Sequence, residues 1–407
     1  MRVLLDFEFT EEQELFRKSL REYCQKNLAP RLMEIEEGCR IPYDVIEGLA
    51  NLGVLAMTSP PEKGGAGADA VTAGIAGEEI GRADVSCATA VFYLVPAAWG
   101  YIFSKYGNPE LSRKVLSKVA RGRAFLGIAT TEPAAGSDLA SIRMTATRKG
   151  SSYVLNGEKI YTSGVREVME ILPEAGGFLT LARTDPSKGT RGMSLFYVPI
   201  KEVSGEVGVT YLKEMGRRGI STGGFSLKDV EVPEENMVGP ENRGFYICME
   251  GFDLARSIIS VVCCGAAMSA LETAMDYIKQ RSAFGNPLAK YEGVQFKLAE
   301  NYAMLDAVRL LGYKALWMFD KEQREGRFTR FEVTRVAAEA KMLAPWVAFN
   351  AVNDAMQWYG AYGYMAECPL QIALRGIRSY MWAEGATEIM KIIVARELLG
   401  KEYVAYR

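Results

Sequence analysis

The chain has 407 residues, 49% of them apolar and 24% charged, a globular composition with room for two or three domains and a large core. Lys and Arg total 48 against 50 Asp and Glu, so no bulk attraction to nucleic acid or to an anionic membrane is expected. Histidine is absent, which excludes a Ser-His-Asp triad, a Cys-His dyad and any zinc site built on imidazole, and leaves general-base work to Asp, Glu, Lys, Tyr or Cys.

The opening MRVLLDFEFTEEQ reaches an acid by Asp6 and resembles no signal or transit peptide. No run of 18 apolar residues occurs, so no membrane span is expected. The seven cysteines contain no C-x-x-C pair, and the adjacent Cys263 and Cys264 suit buried helical thiols. A reducing cytoplasm is the simplest reading, and no metal site is expected.

Thr10 and Gln13 form a capping-box start, after which Phe16, Leu20 and Tyr23 recur at helical spacing. Residues 65–70 match a dinucleotide fingerprint formally, but they follow Pro60-Pro61 rather than a strand, so this stretch reads as a loop. Helical pattern resumes over 70–120, with a break near 107–109. From about Gly122 the period changes. Tyr153 to Tyr161, with Asn156-Gly157 at its centre, predicts a hairpin, and strand-like runs follow at 178–183, 193–200 and 224–232. Beyond Pro233 the chain is helical again: 253–280, 291–320, about 331–359 around Pro345, and a last helix from near Ala386. KEQREGR (321–327) reads as a solvated turn. Four long helices with short connections imply an antiparallel bundle. The resulting division is 1–121 helical, 122–235 β and 236–407 helical, a multi-domain α+β chain.

The run WAEGATEIMKIIVARELLG sets Glu384 among Tyr380, Met381, Trp382 and Ala383, where burial would raise a carboxylate's pKa and suit it to act as a base. An acid on the first turn of a helix accounts for the same residue. Four further stretches are ambiguous singly. IATTEPAAGSDLAS (128–141) offers small residues and hydroxyls that let a planar or phosphorylated ligand approach the backbone, or forms a plain loop. FDLAR (252–256) places Asp253 and Arg256 on one helical face, as a surface ion pair or as a site. Arg281 in QRSAFGNPL binds a phosphate or caps its helix. QWYGAYGYM (357–365) carries glycines that permit close approach.

In this order, TEPAAGSD, QRSAFGNPL, QWYGAYGYM and AEGATEIMKIIVARELLG together resemble the signatures of the acyl-CoA dehydrogenase flavoprotein family over essentially the whole chain. The resemblance implies a helical N-terminal domain, a middle β-barrel and a C-terminal four-helix bundle, assembled as a homotetramer with non-covalent FAD between barrel and bundle. It implies FAD contacts from Ile128, Thr130, Thr131, Gly136 and Ser137, from Tyr161 and Ser163, and from Ala361, Ala386 and Glu388. Arg281, Phe284 and Gln357 would hold the adenosine-pyrophosphate end across a subunit interface. Ser137, Asp253, Arg256 and Gly385 would contact the acyl-CoA substrate. Glu384 would remove the α-proton while the β-hydride passes to flavin N5, and the electrons would go on to an electron-transferring flavoprotein.

The family's second base position, just before the arginine of FDLAR, is Ala255, which cannot act. The chain departs from the family pattern at Tyr161 (commonly Trp), Ala386 (usually Thr), Ala361 (a glycine of GGxG) and Glu292 (frequently Gln). The alternatives are a relative with altered chemistry, such as an oxidase or an enzyme of an unusual cyclic or aromatic acyl group, and a non-catalytic flavoprotein. Tyr93 and Trp99 would shorten an acyl cavity or belong to the core.

Overall fold

A computed structural model describes residues 8–404; the MRVLLDF segment, on which the reading of no leader rests, lies outside them. The first layer is helical: α1 (Glu11–Asn27), α2 (Leu32–Gly38), α3 (Tyr43–Asn51), α4 (Ala70–Ala83), α5 (Ala88–Tyr106) and α6 (Pro109–Ala120). The α1 start is the expected capping box, with Gln13 N–H donating to Thr10 Oγ1 at 3.2 Å and Thr10 N–H to Gln13 Oε1 at 3.1 Å. The glycine-rich 65–70 stretch is a loop that ends on Asp69, the N-cap of α4. A Cβ on Gly65 would lie 2.5 Å from the Ala56 carbonyl oxygen, so that glycine serves close backbone packing and leaves no phosphate cradle. Tyr93 and Trp99 are core residues: Tyr93 donates to the Ala73 carbonyl at 2.7 Å, and Trp99 packs edge-on to Phe252.

The middle layer is a mixed eight-stranded sheet. Its strands are β1 (Phe125–Ala129), β2 (Thr145–Lys149), β3 (Ser152–Ser163), β4 (Gly176–Arg183), β5 (Met193–Val198), β6 (Ser204–Tyr211), β7 (Thr222–Pro233) and β8 (Met237–Val238). They run in the order β6-β7-β3-β2-β4-β5-β8, with β1 parallel to β4. The hairpin expected at Asn156-Gly157 is not there. β3 continues through both residues, and the turn falls instead at Gly150-Ser151, between β2 and β3. Gly157 marks a break in register against β7, and a Cβ on it would lie 2.7 Å from Met144 Cα; the glycine makes a bulge, not a turn.

After the sheet come α7 (Gly244–Gln280), the small β9 (Ser282–Ala283) and β10 (Asn286–Pro287) pair, α8 (Glu292–Glu325), α9 (Arg330–Trp358), α10 (Pro369–Arg378) and α11 (Thr387–Leu399). Residues 321–325 extend α8 rather than forming a turn, because the chain first reverses at Gly326, a left-handed cap. Pro345 sits inside α9 without ending it, and α10 has no counterpart among the helices expected from the sequence. α7 is long and apolar enough to cross a membrane by composition, yet 94% of its most apolar window is buried against protein. Buried Ala337, Ala340, Ala344, Ala348, Ala351 and Ala355 repeat at three- and four-residue steps along α9; side chains this small let α9 pack closely on α7.

Candidate active site

The chain between α10 and α11 turns sharply at Glu384 and Gly385, whose φ angles are +57° and +104°. Left-handed backbone at a glutamate is uncommon and persists only where surrounding contacts hold it. Two buried cations do so. Arg256, on α7, donates from Nε to the Glu384 carbonyl at 2.9 Å, and Lys341, on α9, donates from Nζ to the Gly385 carbonyl. Arg256 is itself fixed by Asp253 (Nη1 to Oδ1, 3.1 Å), whose other oxygen meets Thr334 Oγ1 at 2.6 Å and Arg330 Nη2 at 2.8 Å. Asp253 is thus wholly enclosed, with both oxygens engaged inside the protein.

With its carbonyl held, the Glu384 side chain is left alone. Its Oε2 is buried and has no hydrogen-bond partner among the described residues. Burial lifts the Glu384 carboxyl from 4.5 to about 7, against the pull of Arg256, Lys341 and Arg217. Burial likewise brings Lys341 down to about 7 and lowers Arg256, the latter opposed by Asp253 and Glu384. The backbone N–H groups of Glu384, Gly385 and Ala386 meet no acceptor among the described residues, and they precede the N-terminus of α11.

A second group forms on the sheet. Ile128 lies near the end of β1, partly exposed; Thr130 is buried, and its carbonyl takes a 3.0 Å bond from Lys159 Nζ. Lys159, buried completely, also donates to Glu132 Oε1 at 2.8 Å, and Glu132 accepts the N–H groups of Arg143 and Met144. Burial would raise Glu132, but Lys159 and the two N–H donors outweigh it and hold the carboxyl below its usual range. Thr131 is tied to β3 by the Ile160 N–H at 3.0 Å, which brings the 130–137 loop beside Tyr161 and Ser163. Gly136 and Ser137 are exposed, and Tyr161, at φ +57°, presents a ring that is 67% exposed. The Cys248 thiol, raised by burial, feels both Lys159 and Glu384, which places the sheet loop and the Glu384 turn near the same stretch of α7.

The third group lies apart from both. Tyr277 stacks on Tyr359 at 4.0 Å, so Arg281 at the end of α7 shares one end of the bundle with Gln357 and Ala361. All three are exposed, and Phe284, at the tip between β9 and β10, is 98% exposed. Ala386 caps α11, Glu388 is exposed on its first turn, and Glu292 sits exposed on the first turn of α8, where the helix dipole favours an acid.

These residues fit FAD. Open space faces Gly136, where a Cβ would find only Thr131 Cγ2 at 4.0 Å; the same loop is tied to β3 next to the exposed Tyr161 ring, and the Glu384 turn adds N–H donors without a protein acceptor among the described residues. An enclosed carboxylate poised near neutrality, a planar aromatic face and a loop open to a cofactor define a flavin-dependent oxidoreductase that works by proton removal. The comparisons agree. Family descriptions of the acyl-CoA dehydrogenase N-terminal, middle and C-terminal domains match residues 10–123, 127–230 and 242–399. Among curated relatives, an acyl-CoA dehydrogenase of Bacillus subtilis is 34% identical, covering 96% of this chain and 99% of its own. The cyclohex-1-ene-1-carbonyl-CoA dehydrogenase of Syntrophus aciditrophicus is also 34% identical (96% and 91% covered), and the CarC subunit of the caffeyl-CoA reductase-Etf complex of Acetobacterium woodii 31% (97% and 100%). The butyryl-CoA dehydrogenase structure from Megasphaera elsdenii superposes with a TM-score of 0.88 at 29% identity, over 97% of this chain and all of that one. The chain belongs to the acyl-CoA dehydrogenase family, and it is an FAD-dependent oxidoreductase of acyl-CoA thioesters.

Sequence reasoning passes over Lys159, Glu132, Lys341, Arg330 and Thr334. The available signal is a charge inside an apolar run: Lys341 stands in AAEAKMLAPW at core spacing, and Lys159 lies within the misplaced hairpin.

Proposed function

We propose that Glu384 is the base that takes the α-proton of an acyl-CoA thioester in a 2,3-dehydrogenation. The observation that carries this is the enclosed, unpartnered Oε2 on a carboxyl lifted to about 7, since a base poised near the working pH combines the ionised form with a strong drive to take a proton. The Glu384 N–H, free of protein acceptors, is the donor that would polarise the thioester carbonyl as charge develops on it. Arg256 positions the base through its carbonyl, and Asp253 acts through Arg256; Ser137 and Gly385 line the thioester path. Ala255, at the family's other base position, has no acid to offer.

FAD, when bound, supplies the acceptor for the β-hydride. Ile128, Thr130, Thr131, Gly136 and Ser137 would line its flavin end with Tyr161 and Ser163, while Ala386 and Glu388 approach from α11. Arg281, Phe284, Gln357 and Ala361 stand apart from these groups, at the far end of the bundle. We assign them to the adenosine end of a neighbour's cofactor, in a homotetramer. An electron-transferring flavoprotein is the electron acceptor we favour, given the Etf complex that contains one relative. Seven free cysteines suit a reducing cytoplasm.

An anaerobic visible titration of the FAD-loaded protein with straight, branched, cyclic and aryl acyl-CoAs tests this. Bleaching by one group of thioesters supports the reading and names the acyl class. A flavin that no thioester bleaches overturns it.

A further inference from the structure

The turn that carries Glu384 is held by two cations from two different helices, and only one of them, Arg256, belongs to a stretch that the sequence singles out. Lys341 is fully buried in α9, and its Nζ reaches across to the Gly385 carbonyl. The two carbonyls it shares with Arg256 are consecutive, so together they fix both peptide planes that flank Gly385 and hence both left-handed residues. Gly385 itself sits at φ +104°, a conformation that a side chain would strain, and an added Cβ would lie 2.8 Å from Met390 Cε.

We propose that Lys341 is a positioning residue for the reaction, one that locks the Glu384–Gly385 turn by its bond to the Gly385 carbonyl. Its charge also biases the neighbouring carboxyl toward its ionised form. The inference rests on Glu384 being the base. An amine donates to a carbonyl whether or not it carries the extra proton, so the lock persists across the range in which Lys341 titrates. The bias acts only while Lys341 is charged. Other groups contribute to the same field. Arg256, Cys248 and Cys263 face the pair from α7, Arg217 from the loop before β7, and Glu388 from α11. Among these, Arg256, Lys341 and Arg217 favour the Glu384 carboxylate.

The test uses FAD-loaded protein in three forms: the natural chain, Lys341→Met, which removes donor and charge at similar length, and Lys341→Gln, which keeps a donor without charge. Two quantities are read: kcat against pH, and the ionisation of the Glu384 carboxyl by infrared difference spectroscopy against Glu384→Gln, without substrate. With Lys341→Met the carboxyl should titrate about one pH unit higher, and the alkaline plateau of kcat should fall roughly 10- to 100-fold, the scale of a base misplaced by a fraction of an ångström. Lys341→Gln should show the same alkaline shift with most of the plateau retained. An unmoved carboxyl titration in either variant, or a loss of FAD and thermal stability that fully accounts for the lower rate, makes Lys341 a structural residue only and overturns the proposal. Neither result touches Glu384 itself, whose role fails separately if Glu384→Gln still turns over.

Discussion

Arg256 Nε donates to the backbone carbonyl of Glu384 at 2.9 Å, while the carboxyl oxygen Oε2 at the far end of the same glutamate has no protein partner. The protein grips this glutamate by the main chain and leaves its carboxyl oxygen free. Arg256→Ala should therefore slow turnover by about 100-fold while FAD stays bound. The absorbance of the purified variant checks this: a colourless protein would place Arg256 in the cofactor site instead.

Glu384→Gln should retain FAD and acyl-CoA binding while lowering turnover by at least about 10²–10⁴, the usual worth of a general base. It should also stabilise the fold near neutrality. The Glu384 carboxyl is raised from 4.5 to about 7, so between these pH values the native state holds a proton that the unfolded chain has released. Stability from this group is therefore present in acid and falls as pH rises toward 7. The Gln variant lacks this loss, so its unfolding free energy should match the natural protein's near pH 4.5 and exceed it at pH 7.5, by on the order of 1–3 kcal/mol.

Gly385→Ala should be poorly active. At φ +104° an alanine is strained by about 1–3 kcal/mol, and its Cβ would displace the Met390 methyl. Steady-state kinetics should show turnover slowed by roughly 10-fold or more, with FAD content unchanged.

Lys159→Met should loosen the FAD site from beneath. The lysine supports the Thr130 carbonyl and the Glu132 carboxylate, and its loss leaves a buried acid without its cation, a cost of about 3–5 kcal/mol. FAD should dissociate more readily on dilution, and adding Glu132→Gln should restore part of the lost stability. Calorimetry of the single and double variants measures that recovery.

Phe284→Ala should leave the melting of the chain's own core unchanged, because a ring that is 98% exposed contributes nothing to it. Cofactor affinity should nevertheless fall, by about 1–3 kcal/mol, if the ring covers the FAD of a neighbouring subunit. FAD release followed alongside sedimentation distinguishes this from a purely local effect.

The three-part order and the long helices are legible because hydrophobic period is a local property: Thr10, Gln13 and the apolar positions behind them announce α1 directly. Glu384 is legible because its surroundings are adjacent in sequence. Asn156-Gly157 misleads, since the same dipeptide that makes a turn also makes a bulge, and only the close approach of Met144, just before β2, decides between them. The clamp contacts are hidden for a related reason, although Arg256 itself stands in a stretch the sequence singles out. Lys341 lies 44 positions from the carbonyl it holds, Arg256 lies 128 from its own, and no local pattern encodes either meeting.

A carboxyl with no partner also has no relay. With Glu384 as the proposed base, no protein group among the described residues is bonded to Oε2 to take a captured proton onward, so the proton would stay with the glutamate while a ligand fills the pocket. A hydrogen taken from one thioester is then still in place to be handed back to the same carbon. On that reading the site would store its proton rather than discard it, and could serve saturation as well as desaturation, with the direction set by the potential of the electron partner.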